Sequence, residues 1–177
     1  MRLRTARLEL VASTLETASW ELSDPKHLAA WLAVPDPGSW PPPLNDEASQ
    51  RWNFELLRGD PEAVGWGFWY VVRTEPDRAL IGNGGFKGRP SNGSCEIGYS
   101  LLPEFQGRGY ATEAAQAWIA WAFTHPDVTH VIAETLPQLI TSIRVMEKCG
   151  MEFASDGKLE EGERTVRCAL SRDDHLR

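Results

Sequence analysis

"EIGYSLLPEFQGRGYATEAAQAWIAWAF", residues 96–123, sets the reading of the whole chain. An apolar run of strand composition ends at Leu102, and a segment carrying Gly107 and Gly109 follows. From Thr112 the apolar residues recur at helical spacing as far as Phe123, and the pattern stops before Pro126. Two glycines around Arg108 therefore leave the main chain bare just where a helix begins. One reading is a turn, since glycine tolerates positive φ without steric cost. The other is an anion site, because the first four N–H groups of a helix lack internal partners and the dipole there favours negative charge.

Working outward, "VGWGFWYVVR" (64–73), "ALIGNGGFK" (79–87) and "SCEIGYSLL" (94–102) read as three consecutive strands. The turn signals "TEPD" and "GRPSNG" between them predict an antiparallel meander. Ahead of it lie an alternating strand "ARLELVA" (6–12), a helical region from Thr14 to Val34, and a proline-rich loop "VPDPGSWPPPLND" (34–46) whose prolines lack the N–H groups that regular structure needs. A helix over 46–60 carries Trp52, Leu56 and Leu57 at helical spacing. After the 96–123 block come a strand "VTHVIAET" (128–135), a helix "TSIRVMEKCG" (141–150) closed by Gly150, and two strands near 151–156 and 164–170. The expectation is one α/β domain over residues 1–177.

Composition removes several functions. A formal charge of −7 gives no broad basic face, so nucleic acid is not an expected partner. No apolar run approaches the ~18 residues of a membrane span, and no signal peptide is expected, which suggests a soluble, cytoplasmic protein. A monomer or homodimer is expected, a choice that the residues themselves leave open. Cys95, Cys149 and Cys168 are odd in number and lack any CxxC spacing, which suits a reducing compartment. His27, His125, His130 and His175 form no ligand cluster, and no metal is expected.

The order strand, glycine loop, helix, strand also fits a dinucleotide-binding unit, with Glu134 in place of the ribose-binding acid. "GRGYAT" ends in Thr112 rather than a third glycine or alanine, however, and three meander strands precede the loop where such a unit normally opens its domain.

Read together, residues 96–123 and "AETLPQLITSIRVMEKCGM" (133–151) closely resemble the GNAT acetyltransferases, and within them the Rim-type N-terminal acetyltransferases of ribosomal proteins. Gln106, Gly109 and Ala111 meet the family's Q/R-x-x-G-x-G/A signature, and the order of elements agrees over nearly the whole chain. The resemblance implies a mixed, twisted central sheet, mostly antiparallel with a central parallel pair, flanked by helices. It implies acetyl-CoA as co-substrate, held by Leu101, Leu102, Gln106, Gly107, Arg108, Gly109, Tyr110, Ala111 and Thr112, with the N–H groups of 107–112 directed at the pyrophosphate. Arg108 either adds charge to the phosphates or is a solvated loop arginine. Thr112 either bonds a phosphate oxygen or caps the helix. Glu113 is expected to interact with the helix dipole.

The resemblance further implies direct attack by an amine in a ternary complex, with the thioester carbonyl held by strand backbone near Tyr99 to Leu102. Glu96 is the expected base, against the alternative that it pairs across the sheet with a basic neighbour. The family's usual tyrosine acid falls at Met146 and its usual asparagine at Leu139, so Ser142 remains to contact the cofactor sulfur, unless it is a helix N-cap. The implied acceptor is a primary amine, foremost a protein N-terminal α-amino group, alternatively a small-molecule amine. Loss of the asparagine and tyrosine also admits a non-catalytic CoA-binding regulatory module. Trp31, Trp40, Trp52, Trp66, Phe68 and Trp69, with the 34–46 loop, are candidates for the acceptor wall, although most of these aromatics are expected in the core, and Trp66 and Phe68 are expected on one strand face with Trp69 on the other.

Overall fold

The computed structural model describes residues 1–158 and 162–177. A hairpin of β1 (Arg2–Arg4) and β2 (Leu8–Ala12) leads into α1 (Leu15–Ser23), α2 (Pro25–Trp31) and α3 (Glu47–Gly59). The meander β3 (Phe68–Arg73), β4 (Ala79–Phe86) and β5 (Ser94–Leu101) follows, then α4 (Tyr110–Ala122) and β6 (His130–Thr135). The chain continues through α5 (Ile140–Lys148), β7 (Glu152–Lys158), β8 (Arg164–Ser171) and the short α6 (Arg172–His175). Among the described residues the strands form one sheet in the order β1-β2-β3-β4-β5-β6-β8-β7. The β5–β6 pair is parallel, and every other neighbouring pair is antiparallel. The mixed sheet with its central parallel pair is the one expected.

Local chemistry shifts several boundaries. The single helical region expected over 14–34 is two helices, because Asp24 caps the start of α2 by accepting the His27 N–H, with Pro25 in the first helical position. The strand expected from Ala6 begins at Leu8, since Thr5 Oγ1 accepts the Leu8 N–H (3.0 Å) and turns residues 5–7. Helix α4 starts at Tyr110, two residues earlier than its apolar pattern suggests.

Alternation along β3 feeds two cores. Trp69 and Val71 join Leu8, Leu10, Ile81, Phe86 and Ile97 under the α4 residues Ala114, Ala115, Trp118 and Ile119. Tyr70 and Val72 turn the other way, to Val11, Leu28, Leu32 and Leu80. A Cβ on Gly84 would stand 2.6 Å from Trp118 Cη2, so a bare backbone in β4 is what lets the indole lie on the sheet. Burial of a side chain that size stabilises the fold by about 3 kcal/mol. The aromatic assignment needs correcting here: Trp66 precedes β3 and packs with Phe86 and Trp121 on the Trp69 side, while Phe68 faces Trp52. Trp66 and Trp69 are core residues.

On the opposite face, Glu21 of α1 is only 2% exposed. Its Oε1 accepts from Trp40 Nε1 (3.1 Å), Gln50 Nε2 (3.4 Å) and Asn83 Nδ2 (3.5 Å), and its Oε2 accepts from the Tyr70 hydroxyl (3.2 Å). Burial pushes the carboxyl up from 4.5 to about 7, against the pull of the hydrogen bonds from Tyr70, Trp40, Asn83 and Gln50. Between those two values the folded chain holds a proton that the unfolded chain has released. Stability from this group is therefore complete below the unfolded value and is lost as pH rises through the folded one. Glu21→Gln removes the titration, so urea unfolding across this range should favour the variant increasingly with pH, by up to about 3 kcal/mol relative to its value in acid. Parallel pH curves for the two proteins would contradict a titrating Glu21.

Candidate active site

The parallel ladder runs from Ser94↔His130 to Ile97↔Ala133 and stops, although β5 continues to Leu101 and β6 to Thr135. Beyond that point each strand follows its other neighbour: β5 stays with β4 through Gly82↔Leu101, and β6 stays with β8 through Thr135↔Val166. A gap opens in the middle of the sheet. The Leu102 N–H donates to the Ile81 carbonyl (2.8 Å) on the β4 side. Strand alternation then turns the amides of Tyr99 and Leu101 toward the gap. Of the strand backbone expected to hold an acyl carbonyl, those two N–H groups lie on the gap side beyond the end of the β5–β6 ladder, and that of Leu102 is already engaged.

The glycine loop leaves the end of β5 through a short 3₁₀ turn at Pro103–Phe105. Gln106 Nε2 donates to the Leu101 carbonyl (2.9 Å), tying the loop back to the strand end. Gly107 (φ +73°) and Gly109 (φ +81°) occupy the left-handed region, which a side chain disfavours. Gly109 is the N-cap of α4, no side chain caps it, and Thr112 sits inside the first turn. Among the described residues, none accepts a hydrogen bond from the N–H groups of 107–112. Six main-chain donors at a helix start are thus left without an acceptor among the described residues, where the dipole adds positive potential. Arg108 is exposed and makes no ion pair among the described residues. Tyr110 is buried with its ring under Arg7, so its polar contribution toward the loop's open side is its N–H. Ala111 is half-buried against the core.

The two expected catalytic residues lie on opposite faces of the sheet. Cys95, Ile97, Tyr99 and Leu101 of β5 pack toward α4 and α5, so Glu96, Gly98 and Ser100 point the other way. Ser142 is on α5, with its Oγ donating to the Tyr99 hydroxyl (3.3 Å), which in turn donates to the Ser142 carbonyl (3.0 Å). Leu139 holds the N-cap position without a side-chain bond, so Ser142 is not the cap. Burial pushes the Tyr99 phenol up to about 12, which keeps it a proton-bearing donor near neutrality. The sequence reading did not single out the Tyr99 hydroxyl, because only the packing of α5 on β5 brings it to Ser142. Met146, in the usual tyrosine position, is buried in the core.

Glu96 opens onto a cavity of about 400 Å³ lined by Leu44, Lys87, Glu96, Glu134, Thr135, Leu136, Leu139, Lys158 and Thr165. Of the aromatic residues considered for this wall, none lines it, and the proline-rich loop contributes Leu44. Among the described residues, two carboxylates face the space. Glu134 Oε1 accepts from the Thr165 hydroxyl and Oε2 from Arg167 Nε (3.1 Å) and Nη2 (2.8 Å). The Thr165 hydrogen bond and the Arg167 guanidinium hold it below the usual carboxylate range against a smaller effect of burial. Glu96 Oε1 pairs with Lys87, so the cross-sheet partner considered from the sequence exists. Its Oε2 accepts no hydrogen bond among the described residues. Glu96 therefore keeps a lone pair free toward the cavity, whereas both oxygens of Glu134 are engaged.

No thiol is disposed to attack. Burial, with a lesser contribution from the Asp127 charge, pushes Cys95 up to about 12, and burial pushes Cys149 up to about 11. Burial also raises Cys168, to which the Glu147 charge adds. Among the described residues no three of His, Cys, Asp and Glu come together as a metal site, and no helix is long and apolar enough to cross a membrane.

Residues 3–152 match the family model of the acetyltransferase (GNAT) domain. Over 82 residues the chain is 40% identical to the uncharacterized N-acetyltransferase YnaD of Bacillus subtilis (strain 168), covering 46% of this chain and 48% of YnaD. The match thus spans about half the length of that relative. Two solved structures are similar in fold. RimL, the ribosomal L7/L12 alpha-N-protein acetyltransferase in complex with coenzyme A, superposes with a TM-score of 0.68 at 18% identity, over 98% of this chain and 99% of that one. Aminoglycoside acetyltransferase AAC(6')-Ib in complex with coenzyme A superposes with a TM-score of 0.62 at 17% identity, over 96% of this chain and 97% of that one.

Proposed function

The chain belongs to the GNAT acetyltransferase family, and from that premise we propose that it transfers an acetyl group from acetyl-CoA to a primary amine, with a protein N-terminal α-amino group as the acceptor. The observation that carries this reading is the β5–β6 gap, with the bare glycine loop and Ser142 on one side of the sheet and the Glu96 cavity on the other. A thioester lying through such a gap meets the amine on the carboxylate side and leaves its sulfur on the hydroxyl side.

Each group then has one task. The N–H groups of 107–112 bind the pyrophosphate, and the Tyr99 and Leu101 amides accept the charge that develops on the carbonyl oxygen. Glu96 takes the proton of the attacking amine through its free oxygen. The Ser142 hydroxyl supplies a hydrogen bond to the departing thiolate by turning its proton away from the Tyr99 oxygen, while the phenol keeps its bond to the Ser142 carbonyl; a thiol with a pKa of about 8.5 needs little more. The missing asparagine and tyrosine, at Leu139 and Met146, are compatible with turnover on this account, which argues against a purely regulatory module.

The acceptor class rests on charge. Glu96 is balanced by Lys87 and Glu134 by Arg167, and Lys158 adds a further cation to the lining. These described groups offer no surplus of negative charge for a polycation, whereas an α-amino group, with a pKa of about 8, is already partly neutral and needs only a local base. RimL is a protein acetyltransferase of this fold, which supports the same choice. The test is thiol release from acetyl-CoA with peptides beginning in Ala, Ser or Met beside polyamines and aminoglycosides. Peptide-dependent thiol release is the expected result. Faster release with aminoglycosides would move the assignment to small-molecule amines, and binding of CoA without release for any amine would favour the regulatory module.

A further inference from the structure

Arg7, in the β1–β2 turn, contacts three residues of the glycine loop and the first turn of α4, Arg108, Tyr110 and Glu113, although 101 residues separate it from Arg108. Its Nη1 donates to the Arg108 carbonyl (3.0 Å), and its guanidinium lies 4.5 Å from the centre of the Tyr110 ring. Its Nη2 stands 3.4 Å from where a Cβ would be on Gly109. Its Nε and backbone N–H donate to the Glu113 carboxylate (2.7 and 2.8 Å), and the Thr5 hydroxyl donates to the same group (2.6 Å). Burial alone would raise the Glu113 carboxyl, but the bonds from Thr5 and Arg7 outweigh it and hold it below its ordinary value. The Arg7 carbonyl is itself fixed by the Thr74 N–H (2.9 Å) and hydroxyl (3.1 Å). The turn is thus anchored at its base and reaches across to the start of α4.

Because a trans peptide is planar, its C=O and N–H point in opposite directions. A guanidinium that captures the Arg108 carbonyl therefore turns the Gly109 N–H away from the hairpin, to the open side of the loop. We infer that Arg7 is the positioning residue for the donor's pyrophosphate: oriented by Glu113 and Thr5, it sets the 108–109 peptide so that the loop presents donors rather than a carbonyl to the anion. Its own charge is largely matched by Glu113, so it acts on the loop and does not replace the main-chain donors. This rests on the reading of 107–112 as the pyrophosphate site.

The test compares two acetyl donors that share a thioester, acetyl-CoA and S-acetyl-pantetheine, which lacks the pyrophosphate and nucleotide. The parent protein should favour acetyl-CoA in kcat/KM. Arg7→Ala should reduce kcat/KM for acetyl-CoA by roughly 10- to 100-fold while changing that for S-acetyl-pantetheine by less than about threefold, as expected when charge-assisted hydrogen bonds that hold a binding loop are removed. Arg7→Lys should fall between, because an ammonium cannot reproduce a planar fork that engages a carboxylate and a carbonyl together. Equal losses for both donors would mean that Arg7 only supports the fold and would overturn the inference. So would an Arg7→Ala protein that keeps the parent's preference for acetyl-CoA. A parent protein with no preference between the donors would overturn the pyrophosphate reading of the loop, and the inference with it.

Discussion

Glu96→Gln should lower turnover by about 10²- to 10⁴-fold with every accepted amine, the range that general-base assistance supplies. The substitution preserves shape and hydrogen-bonding capacity and removes only the ability to take a proton. Its effect on stability should stay within about 1 kcal/mol, because the Lys87 partner is half exposed and water replaces the lost carboxylate. Steady-state rates across pH distinguish the roles. In the parent, the acidic limb reports whichever groups must lose a proton before attack. In the variant, a limb due to the acceptor amine alone persists. Near-parental turnover with an unchanged limb would remove Glu96 as base and leave a water molecule to carry the proton, with Glu96 serving only to pair Lys87.

Gly109→Val should weaken acetyl-CoA binding by at least tenfold and lower kcat/KM for that donor by about a hundredfold, a loss of roughly 1.4 to 3 kcal/mol. The left-handed φ of +81° costs a residue with a Cβ about 1–2 kcal/mol and costs a β-branched one more. That Cβ would stand 3.4 Å from the Arg7 guanidinium, at the near edge of ordinary contact, so the backbone conformation supplies the main cost. The loop relieves the backbone strain by moving, and the arrangement of its N–H groups changes. The side chain thus acts through the backbone conformation of the loop, from the side that faces Arg7. Global stability should fall by no more than the strain itself, since Gly109 packs against no core residue. Calorimetry with acetyl-CoA and thermal unfolding measure the two effects separately, and unchanged affinity would exclude this loop as the pyrophosphate site.

Much of the fold is legible along the chain because its signals are local. Alternation marks the strands of the meander, the Asp24–Pro25 pair marks a helix boundary that apolar spacing alone runs past, and Gly107 and Gly109 mark a bare loop just ahead of a helix. Such features depend on residues within a turn or two of one another, and their physics is complete there. Glycine at 107 and 109 is needed for a backbone conformation, and backbone conformation is a local property.

The roles of single side chains at the site are different in kind. Alternation places Glu96 opposite Cys95, but its pairing with Lys87 depends on how β4 and β5 meet. Ser142 reads as a cap or a sulfur contact until α5 docks and sets its hydroxyl against Tyr99. Glu113 carries the sequence of an ordinary acidic first turn, and only the return of the β1–β2 hairpin makes it the partner of Thr5 and Arg7. The local sequence therefore determined the elements, their order and the bare loop, because short-range sterics and periodicity suffice for these. Tertiary structure alone decided the gap between β5 and β6, the face that Glu96 and Ser142 each occupy and the partners that hold them. Those properties arise where strands diverge to follow other neighbours and where residues up to 108 positions apart come into hydrogen-bond contact.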